Sequence, residues 1–196
     1  MINIALFGTS ADPPTSAHQA ILTWLSHHYD LVAVWASDNP FKSHQTPLEH
    51  RSTMLRLLIE EIELPRRNIS LYQSLSSPRT LETVEQARQY WGSQVDLTLV
   101  IGADLIGQMP RWYQIDQLLK QVQLLVVPRP GYEIDEAGLE ELRKLAAKVA
   151  IADLLAPAVS STAYRENGDK EAITPPVEDY IHKEQLYACQ DAARSR

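Results

Sequence analysis

Residues 4–7 are apolar, Gly8 to Pro14 bring together glycine, hydroxyls, a carboxylate and two prolines, and a helical pattern then opens around His18. A strand, a tight turn and a helix start make a natural anion site. Unpaired N–H groups and the positive end of the helix dipole converge there. Gly8 and Thr9 open the turn, and Pro13 and Pro14 stiffen it by fixing φ. Thr15 stands three residues before His18, so its hydroxyl faces the same volume. The histidine adds a donor that can carry charge near neutral pH. Taken alone, His18 reads first as a helix-start residue with a satisfied hydrogen bond, and its neighbours shift that reading. The turn carries neither GxGxxG nor GxxxxGK[ST], so phosphate bound here would be held by another design.

A second group lies late in the chain, where Ser160, Ser161, Thr162 and Arg165 follow Pro157. Hydroxyls at a helix start are common N-caps. Arg165, one turn beyond Ser161, adds a fork able to grip phosphate bidentately. Gly102 and Asp104 close an apolar run, where a carboxylate suits ribose hydroxyls or caps the next helix. Trp112, after Pro110, covers the core or stacks on an aromatic ring. Lys42 and Arg129 are isolated loop cations, which by themselves signify little. His27, His28, His50 and His182 show no metal-ligand spacing, and no Ser-His-Asp or Cys-His arrangement is visible.

The elements that must position these residues follow from periodicity. β-rich apolar runs occupy 2–7, 31–36, 69–73, 97–101 and 124–127, with a weaker one at 149–155. Ala20, Ile21, Trp24 and Leu25 share one helical face, as do Met54, Leu55, Leu58 and Ile62. Leu81, Val84 and Trp91 repeat that spacing, with Arg88 as the polar exception. Residues 132–148 read as a solvated helix and 177–187 as a final amphipathic one. Strands alternating with helices predict a doubly wound, mainly parallel α/β sheet of five to six strands. Ligands of such sheets bind beyond the carboxyl ends of the strands, where the candidate residues fall.

The 196 residues suit one domain, 1–196, with a helical region over about 157–190 carrying the late motif. A net charge of −7 leaves no basic stripe for nucleic acid. The lone Cys189 excludes an internal disulfide. The first residues lack a signal-peptide pattern and no apolar run approaches a membrane span, so a cytoplasmic protein is expected. A homo-oligomer is neither indicated nor excluded.

In order and spacing these segments resemble the nucleotidyltransferase superfamily with [HT]xGH and SSTxxR signatures, over nearly the whole chain. The nearest likeness is to bacterial nicotinate-nucleotide adenylyltransferases. Supporting stretches are 39–42, Arg51 to Met54 and Leu55, Thr80 with Glu82 and Thr83, Gly102 and Asp104 followed by Trp112, Val127 to Gly131, and Tyr180 to Tyr187. Thr15 stands where that family usually has histidine, Ala17 where it has glycine, and Arg79 where it commonly has tyrosine. The first loop is also one residue longer. The resemblance implies a Rossmann-like fold and adenylyl transfer from ATP to nicotinate mononucleotide, giving deamido-NAD and pyrophosphate, with Mg²⁺ arriving on ATP. It assigns His18, Thr15 and Arg165 to catalysis. Gly8, Thr9, Gly102, Asp104, Ser160, Ser161 and Thr162 would join His18 and Arg165 around ATP. Lys42, Thr80, Trp112, Tyr113 and Arg129 would hold the mononucleotide. The alternatives are another transferase of this fold, such as pantetheine-phosphate adenylyltransferase, or a non-catalytic nucleotide-binding protein.

Overall fold

The computed structural model describes residues 1–38, 44–146 and 148–187. Lys42, with its loop, and the terminal residues beyond 187 lie outside them. Six strands form one parallel sheet: β1 (Ile2–Thr9), β2 (Leu31–Ala36), β3 (Ile69–Leu71), β4 (Val95–Gly102), β5 (Gln123–Val127) and β6 (Val149–Ile151). Their spatial order is β3-β2-β1-β4-β5-β6. The order reverses direction between β1 and β4, which opens a crevice at the carboxyl ends of those two strands.

Alternating side chains on each strand feed two apolar layers. Leu97, Leu99 and Ile101 of β4 face one side with Ile4 and Leu6 of β1. Helices α3 (Thr80–Trp91), α4 (Ile115–Leu119) and α5 (Glu136–Leu145) cover that side through Leu81, Val84, Leu118 and Leu142. Ala5, Phe7 and Val100 face the other side. There they meet α1 (Ser16–His28), α2 (Leu48–Glu61) and α7 (Pro175–Lys183) through Leu22, Leu25, Met54, Leu55 and Val177. The short α6 (Ser161–Asn167) carries the late motif. Both faces being covered explains why the strands read as continuous apolar runs.

Several element bounds differ from the sequence reading by a few residues, and three of them, at β3, β6 and the last helix, have a visible local reason. β3 ends at Leu71 because the Gln73 side-chain amide takes over the ladder. Its Oε1 accepts from the Ala36 N–H at 3.0 Å and its Nε2 donates to the Ala36 carbonyl at 2.8 Å. β6 stops at Ile151, short of the apolar run to 155; Asp153 beyond it accepts the Trp24 indole N–H at 3.1 Å. The last helix begins at Pro175, where a missing N–H costs nothing, and ends at Lys183. Gln185 and Tyr187 then adopt φ of 53° and 61°, turning the chain back toward the sheet. Arg88, the polar residue on the α3 stripe, donates to the Val95 and Gln121 carbonyls, both at 2.6 Å.

Candidate active site

The turn leaving β1 presents His18 in a defined protonation state. Thr15 is the extended N-cap of α1, and its backbone N–H donates to His18 Nδ1 at 2.9 Å. The Thr15 hydroxyl lies 3.0 Å from the same nitrogen. Since Nδ1 accepts, the ring proton sits on Nε2, which donates to Thr9 Oγ1 at 2.9 Å. This is a capping box with histidine in the place usually held by glutamate. Burial, and next the Arg129 cation, lower the His18 pKa to about 4. The expectation of a histidine charged near neutral pH is therefore corrected: His18 is a neutral N–H donor.

Early and late motifs meet at the Asp12–Pro13 turn. Arg165 donates to the Asp12 carbonyl and, at 3.3 Å, to Thr162 Oγ1. The Ser161 hydroxyl donates to the Pro13 carbonyl at 2.7 Å. Ser160 caps α6, its hydroxyl accepting from the Ala163 N–H at 3.0 Å. Ser160 thus caps the helix, as one reading of these hydroxyls expected, while Ser161 braces the turn, a role the sequence did not suggest. The Asp12 carboxylate is buried at 5% exposure. It accepts from the Tyr187 hydroxyl at 2.6 Å and from the Thr46 N–H at 3.3 Å. Burial and the Asp12 carboxylate raise the Tyr187 pKa, so the phenol keeps its proton and remains a donor.

At the β4 end, Asp104 is not an N-cap. Gly102 holds that position in the 3-10 turn Ala103–Leu105, and its backbone is extended. A Cβ at Gly102 would meet Asp104 Oδ1 at 2.5 Å, so the glycine makes room for this carboxylate. Asp104 pairs with Arg129 at 3.2 Å, both side chains part-exposed, and the Arg129 guanidinium lies 4.8 Å from the Tyr132 ring centre. Trp112 is partly buried against the core, while Tyr113 is exposed. Thr80 is the first residue of α3. Next to it, Arg79 lies over the Tyr113 ring, 4.2 Å from its centre.

Gly8 has a packing reason of its own. A Cβ there would come within 2.5 Å of the Trp35 ring on neighbouring β2. The Trp35 ring therefore lies directly on the Gly8 backbone where the turn departs, and the Ser37 N–H donates to the Thr9 carbonyl at 2.7 Å.

Three residues of this region escaped the sequence reading as site residues: Asp12, Tyr187 and Arg51. Arg51 is 1% exposed. It donates to the carbonyls of Ser10 at 2.9 Å, Ser37 at 2.7 Å and Thr46 at 2.7 Å. One guanidinium thus ties the exits of β1 and β2 to the approach of α2, using its planar fork on neutral acceptors. A signal was present: Arg51 stands three, four and seven residues before Met54, Leu55 and Leu58, on the buried stripe of α2. Among the described residues no group of three or more His, Cys, Asp or Glu is arranged to hold a metal ion. No described helix is long and apolar enough to cross a membrane.

Comparison with known proteins agrees with this geometry. The cytidylyltransferase-like family model matches residues 6–167. A Synechocystis sp. relative named probable nicotinate-nucleotide adenylyltransferase is 44% identical, over 95% of this chain and 99% of its own. The nicotinate-nucleotide adenylyltransferase of Bacillus subtilis is 27% identical over 95% and 99%. Among solved structures, Plasmodium falciparum nicotinic acid mononucleotide adenylyltransferase complexed with NaAD superposes with a TM-score of 0.81. That likeness covers 96% of this chain and 98% of the other at 24% identity, and it supports the fold. With a family model spanning most of its length and a relative this similar from end to end, the chain belongs to the nicotinate-nucleotide adenylyltransferase family of cytidylyltransferase-like nucleotidyltransferases.

Proposed function

We propose that this protein joins ATP and nicotinate mononucleotide to give deamido-NAD and pyrophosphate. A phosphate oxygen of the mononucleotide attacks the α-phosphorus of ATP. The new P–O bond forms as the bond to the bridging oxygen of the β-phosphate breaks, and pyrophosphate leaves with the electron pair. No enzyme nucleophile takes part. The protein aligns two anions and neutralises the charge growing on the leaving group.

The observation that carries this reading is the neutral His18, fixed with its proton on Nε2 beside Thr9 where β1 ends. A preset donor needs no reorganisation when charge develops. A phosphate oxygen would replace Thr9 Oγ1 as the acceptor. Gly8 and Thr9 would border the phosphates. Ser160, Ser161, Thr162 and Arg165 would face the triphosphate, with Arg165 retaining N–H groups beyond those it gives to Asp12 and Thr162. Thr15 acts through His18 by holding its tautomer. Gly102 and Asp104 would meet the ATP ribose, and Thr80, Trp112, Tyr113 and Arg129 the mononucleotide. Lys42 belongs to the same proposal on resemblance alone. Mg²⁺ would come with ATP, held by phosphate oxygens and water. When bound it would screen the polyphosphate charge. The cytoplasm is the proposed compartment.

Purified protein with Mg²⁺, ATP and nicotinate mononucleotide should release pyrophosphate and form deamido-NAD in equal amounts, measured by chromatography and a coupled pyrophosphate assay. Phosphopantetheine as acceptor and CTP as donor should be poor substitutes. ATP binding without pyrophosphate release from any acceptor would overturn the reading.

A further inference from the structure

We infer that Arg79 selects the acid form of the mononucleotide over the amide. The inference rests on the proposed function and names the side chain that sets its preference. Arg79 directly precedes Thr80, and its guanidinium lies 4.2 Å from the centre of the Tyr113 ring. Two of the chain segments proposed to hold the mononucleotide, at Thr80 after β3 and at Trp112 and Tyr113 after β4, are therefore bridged by one cation. Stacking uses the face of the guanidinium and leaves its N–H groups pointing outward in the plane. Those edges are suited to a carboxylate, which offers two acceptor oxygens and a full charge. A carboxamide offers one acceptor, no charge, and an N–H₂ that would oppose the arginine donors.

Competing uses of the charge are weak. Arg79 approaches Glu82 at 3.6 Å, but these side chains are 53% and 43% exposed, where such pairs contribute little. The Ser77 hydroxyl donates to Glu82 Oε2, and Arg79 approaches the other oxygen, Oε1. Arg129 differs, for its guanidinium is paired with Asp104 at 3.2 Å. The Tyr113 contact also has a geometric consequence. A long exposed side chain otherwise samples many rotamers, whereas the ring holds this one across the mouth between the two segments.

The test compares wild type, Arg79→Gln and Arg79→Lys by kcat/KM for nicotinate mononucleotide and nicotinamide mononucleotide, each with saturating Mg²⁺ and ATP. Arg79→Gln should lower the acid-to-amide ratio by about 10–100-fold, the range for losing a charge-assisted hydrogen bond. Arg79→Lys should keep most of the preference, because the charge survives while the fork is lost. An unchanged ratio in Arg79→Gln, with dinucleotide synthesis intact, would overturn the role of Arg79 and leave the proposed function standing. A wild-type protein that makes no dinucleotide from either mononucleotide would overturn both.

Discussion

At His18 the two ring nitrogens face different chemistry. Nδ1 takes the Thr15 amide, and Nε2 keeps the proton that a phosphate oxygen could accept. Removing that donor with His18→Ala should reduce turnover by about 10²–10³, the scale for one preorganised donor, measured under saturating ATP. Protonation of the ring would require breaking its bond from Thr15. The native pKa, about 4, lies below the ordinary 6.5 through burial and the Arg129 charge. The folded state thus binds fewer protons at this site than the unfolded chain between those values. Its contribution to stability is complete above about pH 6.5 and is lost as pH falls toward 4. A denaturation series from pH 7 to 4 should show that loss, and it should be smaller in His18→Ala. The pH dependence of kcat/KM should likewise carry no histidine inflection near 6.5; one found there and abolished by His18→Ala would contradict the neutral-donor assignment.

At the scale of elements, the turn after β1 is shaped by parts from elsewhere. Arg51 of α2 holds the Ser10 carbonyl, α6 holds the carbonyls of Asp12 and Pro13, and Tyr187 beyond α7 holds the Asp12 carboxylate. Tyr187→Phe removes one hydroxyl and leaves a buried carboxylate short of a donor. It should cost about 1–3 kcal/mol in chemical denaturation and raise the KM for ATP several-fold, with a smaller effect on kcat. Equal stability and an equal KM would mean that the tyrosine does not hold the turn. The strands and amphipathic helices that carry these parts were legible in sequence, because apolar alternation and the 3.6-residue stripe are local signals. The same stripe contained Arg51, whose burial could have been read from its spacing to Met54 and Leu58. The pairing of Asp12 with Tyr187 had no such signal. It links residues 175 positions apart, and neither periodicity nor turn chemistry reports on so distant a partner. For Gly102, sequence did not show that the Asp104 side chain folds back to within 2.5 Å of where a Cβ would stand. Composition does not state such a return.

At the scale of the whole molecule, the sheet order places the exits of β1 and β4 side by side, so His18, Asp104 and Arg129 come to one end of the protein. The sheet itself pairs strands 27 residues apart at Ile4 with Leu31 and 93 apart at Ile2 with Val95, and its side chains enter both apolar layers. The clasp on Asp12 is of another kind. Its bonds close loops of 153 residues to Arg165 and 175 residues to Tyr187. Such closures give back their entropy only when nearly every intervening element is already in place. The order of assembly follows from this. The scaffold can consolidate early while the turn after β1 is still unfixed, and that turn takes its final shape only when two distant stretches of chain reach the place where the first strand stops.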